Sequence, residues 1–469
     1  MTIVIVSILL LGCILIATEN ITKVNRAAVA IFAGTAGWVL YICFGMDFVT
    51  SQHAYDFSHY LHADAWNIIP ENSVTVKTFI ARHIFLPYVG RAAEIVLFLL
   101  ATMTIVEILD NNGCFDFIRQ LLRTRKSRKM LWTLAVVTFL ISANLDNLTT
   151  TVMMLTVMHG VVTSRRQRLF YGSAILLAAN CGGAFTVIGN PEGIVLWNGG
   201  MVTATRFSMS MLLPCVVAWL VPTWLLSRKL PERVDTEWIV MPYRGDDTRL
   251  NVWQRLVMLF VGIGGLWFIP TFHNITKLSP FLGALCVLSV LWIVNEIFNR
   301  KLMNMDAMAE RRTPKVVQYG SVQMILFVMG IMLAMGVVKE TGAFEVFADY
   351  MSGGSANIWI AGVLSGLFSM VLDNFATAMA FFSLPDVPVV GGIAPETAGF
   401  YGCNGMYWKI IVYCIMAGGN ILSVGTVSGL ALMKMERMHV GWFFRNVGWM
   451  ALIGGCLGLV VMWIMQSCF

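Results

Sequence analysis

Charge is scarce in this sequence. Only 12% of its 469 residues are Asp, Glu, Lys or Arg, and 58% are hydrophobic, whereas soluble domains carry about 25% charged residues. That shortage excludes a soluble domain of any size. Paired cysteines are also missing: the ten Cys (Cys13, Cys181, Cys286 and Cys414 among them) are scattered through apolar segments with no CxxC pair. They form neither a disulfide framework nor a zinc pattern, and read as small core hydrophobes. The GxSxG, HExxH, P-loop and GxGD patterns are absent, so rhomboid-like, zinc, ATP-driven and intramembrane aspartyl-protease chemistry lack support. No enzyme and no cofactor is expected. The net charge of +6 carries no message for nucleic acid.

What the chain does have is apolar length. At least nine runs can span a ~30 Å hydrocarbon core. The fold class expected is therefore an all-α polytopic membrane protein embedded in the lipid bilayer. The first run, Ile3 to Ala17, follows no basic residue and shows no small-residue cleavage pattern. It is expected to be retained rather than removed as a signal peptide.

One phrase breaks the apolar pattern. Phe139 to Met154 reads FLISANLDNLTTTVMM, and Leu364 to Phe382 reads LSGLFSMVLDNFATAMAFF. Leu-Asp-Asn followed by a Thr-containing apolar run thus occurs once in each half. A charged side chain at bilayer depth costs ~2.5–3.5 kcal/mol on insertion scales. Two copies of so costly a motif point to a central ion site in a secondary transporter.

Loop charges set the topology, because Lys and Arg accumulate in cytoplasmic loops. Lys23 and Arg26 place the loop before Ala27–Met46 inside. Asp47 to Tyr88 reads as an external loop with an interfacial helix, and Ala92 to Leu109 returns to the basic cluster Arg119–Lys129. Leu131 to Thr163 has basic residues on both flanks and spans 33 residues, too long for one ~20-residue crossing and short for two. It is expected to enter and leave on the same side, as a re-entrant hairpin. Ile358 to Phe382, flanked by loops that are acidic or free of Lys and Arg, is expected to be a second hairpin entering from outside. Ten crossings and two hairpins result. Only seven of the 32 Lys and Arg (Lys77, Arg82, Arg91, Arg206, Lys277, Lys339 and Lys409) then lie outside.

The glycines repeat as well. Gly182, Gly183, Gly189 and Gly193 have the spacing of Gly418, Gly419, Gly425 and Gly429, and Gly113-Cys-Phe-Asp116 answers Gly342-Ala-Phe-Glu345. Gly-rich interruptions argue for a broken helix in each half. Inverted repeats whose broken helices meet near the midplane are a carrier architecture. The expected organisation is N-terminal helices and loop at 1–91, repeat 1 at 92–227 with hairpin 131–163, a cytoplasmic linker at 228–255, and repeat 2 at 256–469 with hairpin 358–382.

At these residues the chain resembles the NhaD-type sodium/proton antiporters of the ion-transporter superfamily. The resemblance rests on TIVEILD (Thr104–Asp110), SANLDNLTTTVMM (Ser142–Met154), ANCGGAFTVIGN (Ala179–Asn190), VLDN (Val371–Asn374) and GGNILSVGTVSGLALMKMERM (Gly418–Met438). It covers roughly Ile95 to Ile464. Dicarboxylate relatives carry Ser-Asn-Thr at each tip, where this chain has Asp146-Asn147-Leu148 and Asp373-Asn374-Phe375. A Ser replaced by Asp suits a site that binds a cation or proton. One departure is Asn190-Pro191-Glu192, where NhaD-like chains have Asp followed by Thr.

The resemblance implies exchange of Na⁺ (or Li⁺) for H⁺ by alternating access, with Asp146 and Asp373 as the Na⁺- and H⁺-carrying groups. Asn147 and Asn374 would add amide oxygens, which hard cations prefer; the bland alternative for all four is capping and fixing of the tips. Thr149, Thr150 and Thr377 are supporting candidates, although Thr also back-bonds within helices. Asn180, Asn190, Thr426, Ser428 and the glycines Gly182, Gly183, Gly189, Gly418, Gly419 and Gly425 complete the supporting set. Close helix packing is the plainer role for those glycines. Glu107 and Asp110, one helix face apart at i, i+3, together with Glu192 and His159, are candidates for ion access or pH sensing. The alternative function is an ion-coupled anion carrier of dicarboxylate or arsenite type. Against it, neither hairpin and neither Gly-rich break contains Lys or Arg. A passive channel stays open on sequence grounds, as does oligomeric state, a homodimer included. The expected location is a bacterial inner membrane, with multiple passes.

Overall fold

The computed structural model describes residues 1–62, 71–122, 124–234, 250–299, 315–344, 355–385 and 394–468. In chain order the principal helices are α1 (Thr2–Ala17), α2 (Arg26–Cys43), α3 (Ser73–Asn111), α4 (Ser127–Ser142), α5 (Asn147–His159), α6 (Arg165–Phe185), α7 (Pro191–Asn198), α8 (Ala204–Ser227), α9 (Val252–Thr276), α10 (Pro280–Asn299), α11 (Lys315–Glu340), α12 (Ser355–Ser369), α13 (Asn374–Phe382), α14 (Met406–Leu422), α15 (Val427–Glu436) and α16 (Val440–Gln466). Among the described residues, eight helices are long and apolar enough to cross a membrane. The other two expected crossings are α1, of 16 residues, and the α6–α7 segment, split into 21 and 8 residues. Residues 235–249 of the expected linker, and Glu345 of the repeated Gly motif, lie outside the described residues.

Both expected hairpins are present. At a rise of 1.5 Å per residue, α4 and α5 are about 24 and 20 Å long, and α12 and α13 about 23 and 14 Å, so none reaches across a ~30 Å core. They open at opposite ends of the molecule. His159, at the end of α5, lies 2.6 Å from Glu436 at the end of α15, whereas the Phe381 carbonyl, near the end of α13, accepts from Tyr407 at the start of α14 (2.7 Å). The repeat is therefore inverted. Gly113 and Gly342, paired by their sequence context, both adopt positive φ, 65° and 70°.

The N-terminal region departs from expectation. Residues 73–88, read above as external loop, form the first 16 residues of α3, a helix of 39 residues. Asn72 caps it, its Oδ1 accepting from the backbone N–H of Val74 and Thr75 at 3.0 and 2.9 Å. Pro87, which would end a regular helix, is preceded by one wide π-type turn at Ile80–Phe85. That turn absorbs the clash between the proline ring and the carbonyl four residues back. Polar residues such as Lys77, Arg82 and His83 hide this helix from a hydropathy reading.

Two helices from different parts of the chain hold the position of the site. α2 and α11 pack backbone to backbone, since a Cβ on Gly34 would stand 3.0 Å from the Gly330 carbonyl oxygen. Trp38 Nε1 donates to the Leu333 carbonyl (3.0 Å). At their outer end Glu340 takes both His53 Nε2 (2.6 Å) and the Tyr88 hydroxyl (2.7 Å). The hydrogen bond to Glu340 pushes the His53 pKa above its ordinary value, with burial opposing. A raised histidine pKa means that this tie stabilises fully below the unfolded value of about 6.5 and is lost as pH rises through the folded value. The melting temperature should accordingly fall on moving from mildly acidic to alkaline buffer, and His53→Gln should flatten that part of the profile. An unchanged slope in His53→Gln would assign the pH dependence elsewhere.

Candidate functional site

Each hairpin tip is a helix start capped by aspartate. Asp146 precedes α5, and its Oδ2 accepts from the Thr149 N–H (3.0 Å) and the Thr149 hydroxyl (3.1 Å). Asp373 precedes α13 and accepts from the Phe375 N–H (2.9 Å). The helix N-terminus favours a negative charge there, so capping explains part of the choice of aspartate. It does not explain all of it. Asp146 is only 6% exposed, yet its Oδ1 has no hydrogen-bond partner among the described residues. Buried polar atoms are almost always satisfied, so an orphaned carboxylate oxygen here is an acceptor available to a cation or a proton.

The broken helices fit against the tips residue for residue. Gly182 of α6 abuts the Phe139 carbonyl of hairpin 1, and Gly418 of α14 abuts the Gly366 carbonyl of hairpin 2. Gly189 faces the Ser142 carbonyl, and Gly425 faces the Ser369 carbonyl. The two serines repeat the pattern: Ser142 Oγ donates to the Ala179 carbonyl (2.6 Å), and Ser369 Oγ to the Ile415 carbonyl (3.0 Å). A side chain at these glycines would push tip and broken helix apart. Gly183 lies against the Asn190 amide and Gly419 against the Asn374 amide. The Asn374 N–H also donates to the Gly425 carbonyl (2.8 Å). The second break is marked by Ser423 at φ 62°, a left-handed conformation that costs a non-glycine residue energy.

The middle is a chain of amides. Asn147 Nδ2 donates to Asn180 Oδ1 (3.3 Å), and Asn180 Nδ2 donates to Asn420 Oδ1 (2.8 Å). The two broken helices therefore touch through asparagines. Asn420 is a site residue that the sequence reading left out, although an Asn directly after Gly418-Gly419 in an apolar helix was a usable signal. Thr150 Oγ1, Asn190 Oδ1, Glu192 Oε2 and Ser428 Oγ are also buried without a hydrogen-bond partner among the described residues. Thr426 caps α15 by accepting from the Gly429 N–H (3.0 Å). Thr377 back-bonds to the Asp373 carbonyl (3.0 Å).

Glu192 sits on the first turn of α7, 6% exposed and close enough to Asp146 and Asp373 for direct electrostatic interaction. It is buried in the interior of the protein. The other candidates of its group lie apart. His159 ends α5, about 20 Å along the helix from Asp146, and Glu107 and Asp110 are half-buried near the end of α3. Asp110 there neighbours Cys114, together with Asp116 and Arg255.

A second residue missed in sequence is Arg26. It opens α2, where its position in the sequence marks a cytoplasmic loop, yet it is buried, with Nη1 3.4 Å from Asp373 Oδ2. Its guanidinium lies over the Phe327 ring of α11, 5.1 Å from the centroid. The centre thus holds three carboxylates, one guanidinium, and amide and hydroxyl oxygens. Among the described residues no three His, Cys, Asp or Glu side chains converge closely enough to hold a metal ion by themselves, so a bound cation here would draw on amide, hydroxyl and carbonyl oxygens as well. Oxygen ligands of this kind suit a hard cation.

The packing of tip on broken helix yields a test. Gly425→Ala would drive a Cβ into the Ser369 carbonyl, whereas a Cβ at Gly90 meets nothing within 4 Å. Gly425→Ala should cost about 1–3 kcal/mol or more of stability, read as a lower melting temperature of the detergent-solubilised protein. Gly90→Ala should be neutral or better. Equal behaviour of the two would contradict the close approach.

Comparison with known proteins places this architecture. The chain is 28% identical over 395 residues to sodium/proton antiporter 2 of Arabidopsis thaliana, covering 83% of this chain and 88% of that protein. It is 30% identical over 375 residues to sodium/proton antiporter 1 of the same plant, covering 79% of this chain and 61% of that protein. With the Na⁺/H⁺ antiporter NhaD of Alkalimonas amylolytica it shares 26% identity over 411 residues, 83% of this chain and 79% of the relative. A family model described as citrate transporter matches residues 13–408. By that match, which takes in both hairpins and the first broken helix, the chain belongs to the citrate transporter family.

Proposed function

We propose that this protein exchanges Na⁺ or Li⁺ for H⁺ across an energised membrane by alternating access. The observation that carries the reading is Asp146: a buried carboxylate at a re-entrant tip, with one oxygen capping a helix and the other left without a donor. Such a group binds either a cation or a proton, and exchange follows from competition between them. The relatives named as antiporters support the same reading. The family's description suggests a citrate carrier, and the electrostatics speak against one here. The interior holds three buried carboxylates, Asp146, Glu192 and Asp373, and one buried guanidinium, Arg26, which already contacts Asp373. A multiply charged anion would enter a site of its own sign.

Asp373 and Glu192 form the remainder of the central charge, with Asn147, Asn180, Asn374 and Asn420 supplying amides. The membrane is a bacterial inner membrane in this reading, in keeping with the bacterial NhaD relatives. Everted vesicles carrying a preformed ΔpH provide the test. Addition of Na⁺ or Li⁺ should collapse the gradient in the wild type, and Asp146→Asn should lower that response by about 100-fold or more. Glu192→Gln should keep folding while raising the cation concentration needed for half-maximal response. If no alkali cation acts and citrate or a dicarboxylate does, antiport is wrong and the anion carrier takes its place.

A further inference from the structure

The two tips are alike in sequence and unlike in company. Asp146 has a free oxygen, whereas Asp373 Oδ2 is met by the Arg26 guanidinium at 3.4 Å. Arg26 is far from Asp373 in sequence and reaches it because the α2–α11 contact fixes the start of α2 beside hairpin 2. Arginine stays protonated in proteins. The positive charge at Asp373 is consequently permanent, covalently held, and in the position a bound cation would take.

A second acceptor waits beside it. Glu19 Oε2 lies 3.9 Å from Arg26 Nε and, though buried, has no hydrogen-bond partner among the described residues. The other carboxylate oxygen of Glu19 pairs with Lys434 of α15 (3.2 Å). Phe327 supports the guanidinium by its ring face, which constrains the group without hydrogen-bonding it and leaves it free to slide between two carboxylates. Arg26 thus sits between two carboxylates, hydrogen-bonded to Asp373 and at the long end of ion-pair distance from Glu19, and a small side-chain rotation would move it fully onto Glu19.

We propose that Arg26 is a tethered counter-cation that competes with the transported cation for Asp373. With the site empty it neutralises Asp373; when Na⁺ arrives it withdraws to Glu19. This rests on the exchange reading above and assigns it a specificity device. The two tip aspartates are then not equivalent: Asp146 takes its ion directly, and Asp373 takes one only by displacing Arg26. Cations that interact weakly with a carboxylate fail to displace a guanidinium, so the pair sets a threshold for which ions are carried.

The test uses the full-length protein in detergent and in proteoliposomes. Melting temperature is measured in NaCl and in choline chloride, and Na⁺ concentration dependence of transport is measured in parallel. Arg26→Gln should lower the half-saturating Na⁺ about tenfold, which corresponds to ~1.4 kcal/mol, and should enlarge the Na⁺-specific rise in melting temperature. Glu19→Gln should move half-saturation the other way, because Arg26 loses its alternative acceptor. Should Arg26→Gln fold poorly, the double variant Arg26→Gln, Asp373→Asn restores charge balance and should lose the enlarged Na⁺ effect, and Arg26→Lys should retain near-wild-type affinity. A wild type that responds to Na⁺ while Arg26→Gln binds it no better overturns the counter-cation alone. A wild type with no Na⁺ response in either measurement overturns the exchange reading, and this proposal with it.

Discussion

Buried carboxylates dictate the rest of this structure. A carboxylate taken out of water costs several kcal/mol even after relaxation, and Asp146, Glu192 and Asp373 are each only 6% exposed. Each tip aspartate is offset differently: Asp146 by the backbone and hydroxyl of Thr149, Asp373 by a backbone N–H and Arg26. Those compensations require helix starts inside the membrane, and helix starts there require hairpins and breaks. Irregular backbone at that depth survives only where protein or a cavity surrounds it. The glycines follow from the same demand, because carbonyls at a break must be approached closely to stay covered.

The inverted repeat supplies two such environments cheaply, and the departures from symmetry are where function is divided. Phe139 and Gly366, Ser142 and Ser369, Gly189 and Gly425 make equivalent contacts. Glu192 and Ser428 occupy the same position, the second residue of the helix beyond each break, and one is a carboxylate where the other is a hydroxyl. Asn180 and Asn420 break the symmetry too, since they meet each other across the centre from non-equivalent positions. Exact duplication would give two identical half-sites. The differences give one side a free carboxylate oxygen and the other a resident cation.

How much of this was legible depended on range. The tips were readable because Asp in an apolar run is expensive, and the breaks because Gly spacing repeated; both signals are local. The hairpin at 131–163 followed from loop charge, and the structure places its two arms at 127–159. Arg26 was not readable. A basic residue at the start of an apolar run has an ordinary explanation as a topology marker, and only packing of α2 on α11 brings it to a carboxylate remote in sequence. The first 16 residues of α3 failed for the opposite reason: their polar side chains imitate a loop, while the cap at Asn72 and the wide turn before Pro87 stabilise a helix.

The two tips are also joined by an unbroken series of contacts at the basic end of the molecule. α5 runs from Asp146 to His159; His159 and Arg168 hold Glu436 of α15; Lys434, half a turn earlier, holds Glu19; Glu19 neighbours Arg26, which holds Asp373. Every link except the two helices is a contact between charged or titratable side chains, with His159–Glu436 an ion pair only when the imidazole is protonated, and such contacts exchange partners without unfolding anything. Contiguity alone is no proof of coupling, which needs an element with two arrangements that both sites bias. On the proposal above, Arg26 between Asp373 and Glu19 is such an element. If Arg26 moves as proposed, the contacts that neutralise Asp373 run through residues that also meet hairpin 1.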